Sequence, residues 1–160
     1  MRATVHNPPW LHVIPEGGAL PVDLLLPTAG TTHVARLNGR EMADTDAVFQ
    51  SFYDGLRLPD CFGWNWNALS DCLRDLHWLP ADHRVLIVEA ADAALPDDPD
   101  DRMVLFRTLL SAGRRWSYTR KPDSTALGSL VLVLCCDPAS VPLLQEGLQS
   151  CWEELIATPA

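Results

Sequence analysis

The sequence predicts an α/β fold in which a small parallel sheet is flanked by helices. Val85 to Val88 and Leu130 to Leu134 are short, uninterrupted apolar runs, the pattern of strands covered on both faces. Between and around them lie segments with apolar residues at three- and four-residue spacing, the mark of amphipathic helices. The stretches joining one strand to the next are too long for hairpins, so the connections are crossovers, which are right-handed by the usual rule.

Residues 1 to 31 carry scattered prolines and two short apolar runs, Trp10 to Ile14 and Val22 to Leu26, each closed by Pro. Proline removes a ladder donor, so these runs suit edge strands or a packed extension. Thr32 to Leu37 is strand-like and meets the turn signal Asn38-Gly39. A helical pattern follows, with Val48, Phe49, Phe52, Tyr53 and Leu56 on one face and Asp44 or Thr45 as its cap. The next helix begins near Asn65 to Asn67 and ends near Leu76. Its apolar stripe is Trp66, Leu69, Leu73 and Leu76, while Asn67, Asp71 and Asp75 fall together on the opposite side, flanked by Arg74 and Trp78. After the Val85 to Val88 strand, the acidic run Asp97-Asp98-Pro99-Asp100-Asp101 precedes Met103, Phe106 and Leu110, with Gly113-Arg114-Arg115 behind them. Acids at the start and bases at the end complement a helix dipole. Pro122 to Gly128 is a loop by composition, and Val141, Leu144, Leu148, Cys151, Leu155 and Ile156 outline a last helix. No internal repeat is present.

At 160 residues and 48% hydrophobic, the chain suits one domain over residues 1–160 with a sizeable core. A formal charge of −9, from 21 acids against 12 Lys and Arg, argues against nucleic-acid binding, which needs cations to displace counterions. A cationic partner fits better, although acidity often serves solubility alone. No signal-peptide pattern or run of membrane-spanning length occurs, so no membrane association is expected and the expected location is cytoplasmic. The 5 cysteines, Cys61, Cys72, Cys135, Cys136 and Cys151, are odd in number and lack C-x-x-C spacing, as reduced and mostly buried thiols do. Phosphate-loop, dinucleotide, zinc-protease and serine-hydrolase motifs are all missing, so no cofactor, metal or catalytic residue is expected. His6, His12, His33, His77 and His83 are dispersed. Asp71 and Asp75, one helical turn apart, could serve a small metal-dependent hydrolase; a solvated helix face explains them more cheaply.

The most informative stretch is Phe62-Gly63-Trp64-Asn65-Trp66-Asn67-Ala68-Leu69-Ser70-Asp71-Cys72-Leu73. It places two tryptophans and an acid where a loop becomes a helix, and aromatic rings with a well-placed charge dominate binding energy at interfaces. With Leu58-Pro59 before it and a helix following Leu37-Asn38-Gly39, the run resembles the barstar family of intracellular ribonuclease inhibitors. The resemblance spans about residues 34–136. It implies a three-stranded parallel sheet packed with helices; residues 1–31 form an N-terminal extension that can add short strands, and 137–160 a C-terminal helix.

The resemblance further implies an inhibitor that forms a 1:1 complex with a small extracellular guanyl-specific ribonuclease while that enzyme is still inside the producing cell. In the family, the second helix and its preceding loop enter the nuclease cleft, and an aspartate at the place of Asp71 meets the cations that bind substrate phosphate. Gly63, Asn65 and Asp71 match family positions directly. Asn67 stands where another aspartate is usual, Cys61 and Ser70 replace aromatic residues, and Thr108 falls at or near an acidic position on the later helix. Arg74 and Asp75 flank the expected contact. Trp64, in the loop, is expected at the interface, whereas Trp66, on the apolar stripe of the helix, is assigned to the core ahead of the interface. The departures at Asn67, Ser70 and Thr108 leave room for a barstar-shaped protein that binds a different cationic partner.

Overall fold

The computed structural model describes residues 7–17, 30–79, 81–117 and 129–157. Strands β1 (Leu11–Pro15), β2 (Thr32–Asn38), β3 (His83–Glu89) and β4 (Ser129–Cys136) form an all-parallel sheet in the order β1-β4-β3-β2. Helices α1 (Thr45–Gly55) and α2 (Trp66–Asp75) connect β2 to β3, α3 (Pro99–Ser117) lies between β3 and β4, and α4 (Val141–Ala157) follows β4. The sheet thus has four strands rather than three. The additional one is the Trp10 to Ile14 run of the N-terminal extension, which docks as an edge strand with Leu11 opposite Leu132 and Ile14 opposite Cys135. The run Val22 to Leu26 and the Pro122 to Gly128 loop lie outside the described residues.

Strand alternation divides the sheet into two faces. Ala35, Leu37, Leu86, Val88, Leu130, Leu132, Leu134 and Leu11 point to one side, where they meet Phe52 of α1, Leu69 and Leu73 of α2, Leu109 of α3 and Leu148 of α4 in a single buried cluster. Val85, Ile87, Val133 and Cys135 point to the other and form a smaller cluster of strand residues, with Ile14 and Val131 at its margin. β3 and β4 are therefore buried on both faces, which is why they are uninterrupted apolar runs. The steps from β2 to β3 and from β3 to β4 go in the same direction across the sheet, so right-handed crossovers place their helices on the same side.

Local chemistry fixes the helix ends. Asp44 rather than Thr45 caps α1, its Oδ1 accepting from the Ala47 N–H at 2.8 Å. Asp98 does the same for α3 by accepting from Asp101 N–H at 3.1 Å. α3 runs through Gly113 to Ser117, with Arg114 and Arg115 in its last turn. A Cβ at Gly113 would collide with the ring of Trp10, and Trp10 meets Trp152 of α4 edge-on, with ring centroids 5.6 Å apart. Gly113 is therefore a packing glycine that lets the N-terminal segment close on α3, despite the roughly 1 kcal/mol that glycine costs inside a helix.

Candidate partner-binding surface

α2 presents the residues that the sequence singled out. Leu69 and Leu73 are fully buried, while Asn67, Asp71, Arg74 and Asp75 are exposed on the outer face. Trp66 is half-buried and meets Phe49 edge-on at 5.0 Å, so its ring serves mainly to seat α2 on α1. Ser70 is half-buried beside this face, and Cys61 is exposed at the start of the preceding loop. Cys72 is partly buried, and burial is the first cause that raises its thiol above the ordinary value.

The loop before α2 is shaped by its own side chains. Asn65 caps the helix: its Oδ1 accepts from Ala68 N–H at 2.8 Å, while its Nδ2 donates to the Gly63 carbonyl at 3.1 Å. Both ends of the amide are thus committed to holding the loop. Gly63 sits close against this cap: a Cβ there would lie 3.2 Å from Asn65 Nδ2, a tight contact, and 3.4 Å from the Ala68 Cβ. Trp64 carries a positive φ of 55°, a left-handed conformation uncommon for a bulky residue. The residue stays 43% exposed, its ring supported by Tyr53 at 5.0 Å and Phe62 at 5.3 Å. Tyr53 is itself held by a hydrogen bond from its hydroxyl to Asp60 at 3.1 Å; that bond, followed by the nearby negative charge, raises the phenol above its ordinary value. The helical spacing of Tyr53 puts it on the apolar face of α1 and carries no sign that it props up this loop.

Asp71 lies near the middle of the exposed face. Arg74, one turn on, donates from its terminal nitrogen to Asp71 Oδ1 at 2.7 Å and from Nε to the Ser70 carbonyl at 3.4 Å. The Asp71 side chain nevertheless remains 73% exposed. Asp75 is bonded by His77 Nδ1 at 2.8 Å. α3 runs beside α2, tied to it where the Trp116 indole N–H donates to the Leu73 carbonyl at 2.8 Å. This brings Arg115 to a shallow hollow of about 300 Å3 that it shares with Asp71, Arg74 and Asp75. Nothing in the sequence links position 115 to this face. Thr108, by contrast, does not join it: the residue is 8% exposed and its hydroxyl donates to the Val104 carbonyl at 2.7 Å. Trp78, expected beside the acids, is half-buried and donates its indole N–H to the Leu56 carbonyl at 2.9 Å.

A loop stiffened by an asparagine cap, delivering an exposed carboxylate on a short helix packed against a parallel sheet, is an arrangement with a known counterpart. The family model described as barstar, the barnase inhibitor, matches residues 32–127. The chain belongs to the barstar family. Barstar-family proteins are protein inhibitors that bind ribonucleases, not catalysts, and the parallel α/β architecture agrees with that membership. No curated protein matches the chain in sequence. Among the described residues, no group of three or more His, Cys, Asp or Glu side chains is placed to hold a metal ion, and no helix is long and apolar enough to cross a membrane.

Proposed function

We propose that this barstar-family protein inhibits a small secreted guanyl-specific ribonuclease by forming a 1:1 complex in the cytoplasm of the cell that makes the enzyme. α2 and the loop from Cys61 to Asn65 would enter the nuclease cleft, with Asp71 in place of an RNA phosphate. One observation carries the reading: the Asp71 side chain is 73% exposed on the outer face of α2, its Oδ1 held by Arg74. A ribonuclease must gather cationic groups around a phosphate, and a carboxylate can accept charge-assisted, often bidentate hydrogen bonds from the same groups. Gly63, Asn65 and Trp64 shape the approach, Asn67 and Ser70 extend the contact along the helix, and Cys61, Trp66 and Asp75 lie toward its margin.

Stoichiometric protein is expected to abolish RNA cleavage by a small microbial guanyl-specific ribonuclease. In calorimetry, Asp71→Ala should lose about 2 kcal/mol or more of binding, as buried charged anchors do, and Asp75→Ala less. Equal losses from the two variants would place the contact face elsewhere. A second reading, in which the fold binds a different cationic protein, is favoured by the neutral Asn67 and the buried Thr108. Undiminished cleavage by several such nucleases, with the protein folded, would support that alternative.

A further inference from the structure

The hollow beside Asp71 is electrically balanced in a protein whose net charge is −9. Its lining is two carboxylates, Asp71 and Asp75, and two guanidiniums, Arg74 and Arg115. Arg74 does more there than neutralise Asp71. Its guanidinium has five N–H donors, of which one terminal nitrogen is directed to Asp71 and Nε to the Ser70 carbonyl. The remaining donors belong to a side chain 44% exposed. Two hydrogen bonds back to its own helix tether the group on this face, so a partner that covers Asp71 also meets Arg74. Covering a guanidinium without supplying an acceptor leaves a desolvated charge, and setting a second cation against it adds like-charge repulsion. A uniformly basic partner therefore fits this face poorly.

We infer that Arg74 is a specificity-determining contact: the partner surface that seats a cation on Asp71 also carries a carboxylate that accepts from Arg74. The inference rests on the reading of α2 as the inhibitory face. It narrows the partner from any basic protein to one with an acid next to its phosphate-binding cations. It also separates Arg74 from a residue that merely steadies Asp71, because the two roles respond differently when Asp71 is neutralised.

The test uses the full chain and a small secreted guanyl-specific ribonuclease as the probe, with binding followed by calorimetry and inhibition by RNA cleavage. Arg74→Glu should weaken the complex at least about tenfold, and Arg74→Gln should weaken it in the same direction by less. In the Asp71→Asn background, the Arg74→Gln loss should persist. Loss confined to the Asp71 background would reduce Arg74 to a positioning residue and overturn the inference. Tighter or unchanged binding by Arg74→Glu would also overturn it while leaving the inhibitor reading intact. A wild-type protein that inhibits none of a panel of such nucleases removes both.

Discussion

Trp64 keeps a left-handed backbone that costs a bulky residue on the order of 1 kcal/mol, and leaves 43% of its surface in solvent. Strain and exposure together suit a ring placed for a partner better than one placed for the core. Trp64→Gly relieves the φ restriction while removing the ring, so the thermal midpoint should move little while affinity for the nuclease falls about tenfold or more, read by calorimetry alongside thermal unfolding. A large drop in midpoint with unchanged affinity would make Trp64 a structural residue. At this scale the sequence was informative wherever helical phase decides the matter. The outward Asn67, Asp71 and Asp75 and the inward Leu69 and Leu73 follow from spacing at 100° per residue. Tyr53, Arg115 and the buried Thr108 were not legible, because each owes its place to a neighbouring element and not to its own periodicity.

At the scale of elements, α2 depends on the Asn65 cap. Asn65→Ala removes the acceptor for Ala68 N–H and the tie to the Gly63 carbonyl, and should cost about 1 kcal/mol in chemical denaturation. An unchanged unfolding free energy would show that packing alone fixes the start of this helix. The entrances to β2 and β3 are joined differently. The Thr31 N–H donates to Asp82 Oδ2 at 2.9 Å, and this bond, the largest cause, holds the Asp82 carboxyl below its ordinary value of 3.8. A depressed carboxylate contributes stability that is complete above the unfolded-state value and is lost as pH falls through the folded one. Asp82→Asn should therefore be less stable than wild type by a constant amount above about pH 5, and the gap should narrow as pH drops below about 4. A gap that widens in acid would contradict this assignment. Elements with their own period were readable from the chain; the docking of β1 against β4 was not, since a parallel pairing between distant segments leaves no local signature. The same holds for Gly113, whose close approach to Trp10 of a distant segment has no local signal.

At the scale of the whole molecule, the charge of −9 should steer an approach to a basic enzyme. Association should slow as salt is added, with dissociation much less affected, in stopped-flow mixing across an ionic-strength series. A rate indifferent to salt would mean that steering contributes nothing, whatever Asp71 does once docked. The strand order has a different consequence, for the birth of the protein. Leu11 is made early and its partner Leu132 late, yet the sheet is closed on that side only when the two meet. During synthesis the first strand stays unpaired until β4 has left the ribosome, and the entropy of closing so long a loop makes such a topology slow to complete.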